Sequence, residues 1–244
     1  KAAEVLKQEE TKQEFQKIAD RQWQVVKEEY FTSTGRCAVK TQTGLILALK
    51  YHLSENEELT KQMLKKLLRD NKNKLNTGFV GTPLLCNVLT DHGMTDAAYR
   101  LLLNKEYPGW LHEVKLGATT VWERWNSLDE SGHVSSTGMN SLNHYSYGAI
   151  LEWIFRHVAG IDVMEQSPGG RVMRISPKVN SELKYVKAVY DSATGCYQCG
   201  WEILEGNKIT ITVTVPFGGK AEVVLPYAPE CIYEDIENPL FEAV

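Results

Sequence analysis

Several features are scarce in this sequence of 244 residues. No apolar run approaches the roughly 18 residues that cross a bilayer, and no block of like charge extends beyond a few residues. With a net charge of -4, the chain offers neither a membrane span nor the clustered basic surface that nucleic acid or an anionic membrane requires, so no nucleic-acid and no membrane partner is expected. Cysteine is sparse. The five residues, at 37, 86, 196, 199 and 231, are odd in number and scattered, which does not make a disulfide framework. Reduced thiols are the simpler reading, and they favour a cytoplasmic setting. Cys196 and Cys199 form a C-x-x-C pair without a second such pair or a paired His motif, so no four-ligand zinc site follows. Lying among alternating residues, they read as ordinary strand cysteines. No metal and no cofactor is implied. The initiating Met is missing, and KAAEVLKQEETKQEF is charged and helical in pattern rather than a signal sequence. The chain is expected to be a trimmed piece of something longer.

Apolar residues are present in quantity, at 43%, enough for one large core or two smaller ones. Up to about Gly160 they recur at helical spacing. Phe15, Ile18, Trp23 and Val26 mark a first helix, Leu45, Ile46 and Leu49 a second, and Met63, Leu64, Leu67 and Leu68 a third. Further helices are predicted over Thr82 to Leu89, Thr95 to Leu103 and Tyr147 to Val158, with stops at Asp91-His92-Gly93 and Ala159-Gly160. After residue 168 the period becomes 2, over Arg171 to Ile175, Leu183 to Tyr190, Ile209 to Val215 and Ala221 to Leu225. Gly, Asn and Asp punctuate the connectors. The expectation is an α+β multidomain chain: helices over residues 1–162 whose successive pairs hint at a toroid, then a small antiparallel β-sandwich over residues 163–244 with a packing or accessory role.

Three irregular polar and aromatic stretches interrupt the helices: Asn76 to Thr82, whose two glycines allow close backbone approach, Tyr107 to Ser127, and Asn140 to Tyr147. Rings beside carboxylates, Asn and His suit a sugar pocket, because a ring stacks on the C–H face of a pyranose while polar groups bind its hydroxyls. Glu123 stands out, since a carboxylate flanked by Trp122 and Trp125 should be partly desolvated, which favours its protonated form and suits acid or base work. Each residue also has a plainer reading. Trp110, Trp122 and Trp125 are equally suited to packing between helices, His144 to capping a helix start, and Glu123 and Arg124 to structural ion pairs.

The blocks TGFVGTPLLCNVLTDHGMTDAAYRLLLNKEYPGW (77 to 110), GATTVWERWNS (117 to 127) and SLNHYSYGAILEWIFRHVAGI (141 to 161), continued by KITITVTVPFGGKAEVVLP, resemble the α-L-rhamnosidases of glycoside hydrolase family 78. The resemblance covers most of the chain from about residue 37 onward. It implies the second half of an (α/α)6 catalytic barrel followed by a C-terminal β-sandwich domain. It implies inverting hydrolysis of terminal α-L-rhamnosyl residues from a rhamnose-containing glycoside or oligosaccharide, with the Glu of W-E-R-W, Glu123, as general base. His144 of N-H-Y would line the rhamnose subsite, and Trp110, Trp122, Trp125, Asn143 and Tyr145 would complete it. Where family members often read Trp-Gly-Tyr, this chain has Trp110-Leu111-His112, which alters the pocket wall toward the aglycone. The family's general acid comes from an upstream Asp-Gly-rich segment that residues 1–244 do not contain, and Glu113, Asp129 and Glu130 flank the base on its own segment. The missing half of the toroid is therefore expected from an upstream portion of the same protein or from self-association. A non-catalytic carbohydrate-binding protein, or another toroid enzyme such as a polysaccharide lyase, remains an alternative.

Overall fold

The computed structural model describes residues 1–225 apart from 130, 137 and 168; Glu130 and Cys231 lie outside the described residues. Contacts divide the chain into two compact units, Lys1–Trp153 and a second that begins at Ile154.

The first unit is helical: α1 (Ala2–Val5), α2 (Glu9–Tyr30), α3 (Gln42–Lys50), α4 (Glu57–Asp70), α5 (Thr82–Asp91), α6 (Thr95–Leu102), α7 (Trp110–Lys115), a 3-10 turn (Ser146–Ala149) and α8 (Ile150–Trp153). Local chemistry sets several of these ends. The Thr41 hydroxyl accepts the Gly44 N–H at the start of α3, and Asn56 Oδ1 accepts the Leu59 N–H at the start of α4, each satisfying an orphan donor of a first turn. Gly93, at φ 74°, closes α5 in the left-handed conformation that glycine adopts without penalty. α3 packs against both α4 and α5, and α5 against α6. α3 and α5 are buried on most sides, whereas α4 buries a single stripe of Thr60, Leu64 and Leu68 at four-residue spacing. The first two are thus inner helices and α4 an outer one, with each buried leucine contributing about 1.5–3 kcal/mol. α2 differs, because none of its residues is buried. The Trp23 indole donates to His52 O at 3.1 Å and Lys27 pairs with Glu55, but Phe15 and Ile18 stay 63% and 49% exposed.

The second unit opens with a π turn (Ile154–Val158), so the stretch predicted as one helix from Tyr147 to Val158 is 3-10, α and π in succession. Among the described residues six strands follow: β1 (Ile161–Val163), β2 (Val172–Ile175), β3 (Tyr185–Ser192), β4 (Gly195–Ile203), β5 (Ile209–Thr214) and β6 (Lys220–Val223). They form two three-stranded sheets, β1-β2-β6 and β3-β4-β5. One pair departs from the antiparallel expectation. β6 runs parallel to β2, with Met173 opposite Ala221 and Ile175 opposite Val223. Ile161, Met173 and Ile175 of one sheet meet Tyr197 and Cys199 of the other in a common core, which makes the unit a sandwich. The Tyr197 hydroxyl lies 3.2 Å from Arg171 O and 3.3 Å from Lys220 O, spanning the parallel pair. Residue 219 must be glycine, since a Cβ there would stand 2.0 Å from that hydroxyl. Cys196 and Cys199 both lie on β4 as free thiols. Three residues apart on a strand, they face opposite sides of the sheet. Burial pushes the Cys199 thiol up to about 12.

Candidate active site

All three irregular stretches meet in the helical unit. Between Lys115 and Ser146 the described residues hold no helix or strand, only a single bridge between Leu128 and Val134. A connection of that length inside a compact unit is usually a functional loop. It leaves α7 through a two-bond cap, with Ala118 N–H on Glu113 O and Gly117 N–H on Val114 O at 3.0 Å each, Gly117 standing at φ 87°. This is the Schellman arrangement, and it turns the chain into the segment that carries Glu123.

Backbone bonds then join the W-E-R-W block to the N-H-Y block. His144 N–H donates to Val121 O at 2.8 Å, and Glu123 N–H to Ser141 O at 2.9 Å. The Thr120 hydroxyl donates to Leu142 O. Ser127 Oγ accepts the Arg124 N–H at 3.1 Å and donates to Asn140 Oδ1 at 2.6 Å, while Asn140 Nδ2 donates to Ser127 O at 3.0 Å. Glu123 is thereby fixed in a run of peptides bonded on both sides of it. Its residue is 5% exposed, and Trp122 beside it is buried.

The rings form a continuous layer. Trp125 stacks on Tyr147, with centroids 4.0 Å apart and planes 8° apart, and Trp110 meets Trp125 edge-on at 5.3 Å. Both indole N–H groups donate to backbone, Trp110 to Tyr147 O at 2.9 Å and Trp125 to Thr77 O at 3.0 Å. These two indoles are built into the wall, and one face of Trp125 is taken by Tyr147. Phe79 stacks on His144 at 5.1 Å and His144 on Tyr145 at 5.2 Å, with planes within about 12° of parallel. Phe79 and Tyr145 are the open rings, 47% and 87% exposed, and Asn143 is also exposed. His144 Nδ1 accepts the Ser146 N–H at 3.2 Å, so a neutral His144 carries its proton on Nε2.

Three residues of this assembly were not singled out as site candidates from the sequence. Phe79 lies in the Asn76 to Thr82 stretch, held by buried Gln42, which donates to Lys74 O and accepts the Asn76 N–H, each at 2.8 Å. The close approach expected at both glycines of that stretch is real at Gly81, where a Cβ would meet Thr43 Oγ1 at 2.4 Å. Gly78 has open space around it. Tyr147 is the ring on which the layer is centred. Burial first, then the charges of Glu113 and Glu123, hold its phenol above the ordinary value, with Arg124 opposing them. Glu113, on α7, is 4% exposed. Its one sequence signal is its place three residues after Trp110, on the same helix face.

A family model described as the bacterial alpha-L-rhamnosidase 6 hairpin glycosidase domain matches residues 1–158, and one described as the bacterial alpha-L-rhamnosidase C-terminal domain matches residues 160–235. An alpha-L-rhamnosidase of Formosa agariphila is 39% identical over 188 residues, covering 76% of this chain and 20% of that protein. Among solved structures, the native α-L-rhamnosidase of Aspergillus terreus superposes with a TM-score of 0.87 at 30% identity, over 92% of this chain and 26% of that one. The Streptomyces avermitilis alpha-L-rhamnosidase complexed with L-rhamnose gives 0.79 at 33% identity, over 86% and 20%. The chain spans about one fifth of the length of the curated relatives it matches.

Proposed function

Because the chain belongs to the bacterial α-L-rhamnosidases, matching their six-hairpin and C-terminal domains in turn, we propose that it serves the hydrolysis of terminal α-L-rhamnosyl residues from glycosides or oligosaccharides, with inversion and with Glu123 as general base. The observation that carries this reading is the seating of Glu123, a buried carboxyl whose own N–H is bonded to Ser141 and whose loop is joined at Val121 to His144. A base held this way needs no reorganisation before it takes a proton.

The water oxygen bonds to the anomeric carbon on the face opposite the leaving oxygen, and its proton passes to Glu123. The bond from that carbon to the aglycone oxygen breaks, and a second carboxylic acid, about 6.5–9.5 Å from the base, protonates the departing oxygen. That acid is assigned to chain outside residues 1–244. Asp129 is occupied in its own turn, accepting the Ser131 and His133 N–H groups at 2.9 Å each, and Glu113 is buried on α7, where it accepts the Trp122 N–H. His144, with Nε2–H available, donates to a sugar hydroxyl. The open ring of Tyr145 offers an apolar face to the deoxysugar, with Asn143 beside it, and Trp110, Trp122 and Trp125 form the wall behind them.

The test is turnover of an aryl α-L-rhamnoside by the complete protein, followed by proton NMR. The β anomer should appear first, and Glu123→Gln should lower kcat by roughly 10²–10⁴-fold with KM little changed. Sugar retained without turnover, or the α anomer first, overturns the reading.

A further inference from the structure

Glu113 is a buried acid that the hydrolytic scheme does not use. It lies on α7, with its residue 4% exposed, and its Oε1 is buried without a hydrogen-bond partner. The carboxyl accepts the Trp122 N–H. An apolar residue of the same volume would leave that N–H unpaired in a place where Trp122 is itself buried, at a cost of about 1–3 kcal/mol. A charged carboxylate would satisfy the N–H but bury a negative charge with one oxygen unpartnered, which is more costly still. An uncharged carboxyl avoids both defects, because its carbonyl oxygen accepts the N–H and it carries no charge.

We propose, resting on Glu123 as the base, that Glu113 is a positioning residue: a neutral carboxyl that holds the Trp122 peptide, and so the seat of Glu123.

The surroundings agree with that role. Burial pushes the Glu113 carboxyl up to about 8, against the lowering effect of the Trp122 N–H. The acid is therefore protonated through the neutral range and ionises above it. The charged and titratable groups that share its field at Tyr147 are Glu123 and Arg124 on the long loop and Tyr107 ahead of α7; His112 and Lys115 lie on α7 itself. Ionised Glu113 would be a buried charge with an unpartnered oxygen and would loosen the Trp122 peptide it holds, so function is lost as pH rises through about 8.

Two measurements on the complete protein test this. Infrared difference spectra between the parent and Glu113→Gln should show the carbonyl band of a protonated carboxyl at pH 7, titrating away near pH 8. In rate–pH profiles, Glu113→Ala should lower kcat by on the order of 10–100-fold with KM little changed. Glu113→Gln should recover most of that loss, since its amide oxygen accepts the same N–H, and should move the alkaline limb upward. A carboxyl already ionised at pH 7 overturns the proposal, as does an alkaline limb that stays in place in Glu113→Gln. If Glu123 were not the base, Glu123→Gln would leave turnover intact while the infrared band persisted, so the two failures are distinguishable.

Discussion

At the scale of single residues, the aromatic layer does two jobs with different side chains. Trp110 and Trp125 have their N–H groups committed to Tyr147 O and Thr77 O, and they tie the Asn76 to Thr82 stretch and the 3-10 turn to the loop that bears Glu123. Phe79 and Tyr145 keep open faces. Trp125→Phe should keep the stack on Tyr147 but leave Thr77 O unpaired, costing about 1–3 kcal/mol. Trp125→Ala should cost about 3–5 kcal/mol through the cavity it opens. Equilibrium urea denaturation separates these, and equal losses in the two variants would show that the indole N–H, not the ring, carries the effect. Glu123 and its neighbouring indoles were legible in the sequence, because a carboxylate among rings is unusual wherever it falls. Phe79, Tyr147 and Glu113 were not, because ring contacts between stretches far apart in sequence leave no local period. A lone Glu on a short helix reads as solvated until its burial is seen.

At the scale of elements, the glycine stops show how much backbone handedness costs with and without a clash. Gly117 stands at φ 87° with nothing within 4 Å of a built Cβ, whereas Gly160, at φ 85°, would place its Cβ 2.2 Å from Pro177 N. Gly117→Ala should therefore cost only the left-handed strain of about 1–2 kcal/mol and reduce turnover through a loosened α7 exit. Gly160→Ala adds a backbone collision and should be the more destabilising of the two by denaturant midpoint. The reverse order would mean that α7 relies on its cap more than its geometry implies. Helix and strand types were readable because each period follows from which face is buried, and so were the stops at Gly93 and Gly160. The parallel pairing of β6 with β2 was not, since alternation reveals that a strand has a buried face but not which strand lies beside it. The break of the Tyr147 to Val158 stretch into three helix types was hidden for a similar reason: its apolar spacing suits one continuous helix.

At the scale of the whole molecule, the uncovered side of α2 is the feature that residues 1–225 do not resolve by themselves. Among the described residues, Phe15 and Ile18 share a helix face at i, i+3 with no partner that buries them, and exposed apolar faces of this kind mark contact surfaces. We propose that further helices of the six-hairpin domain, from an upstream portion of the same polypeptide, cover it, or that a second copy does so when they are absent. Sedimentation velocity on residues 1–244 alone should show concentration-dependent association that a Phe15→Glu, Ile18→Glu double variant abolishes. A monomer at high concentration with a cooperative melt would count against this.

The parallel pair held by Tyr197 has a consequence for how the protein is made. β1 and β2 leave the ribosome early, but the strand that completes their sheet is synthesised only after the entire β3-β4-β5 meander. Met173 and Ile175 must wait, half sheltered, for Ala221 and Val223. The sandwich therefore matures late and all at once, and a nascent chain stalled before Lys220 would present a sticky, unfinished edge to chaperones and proteases.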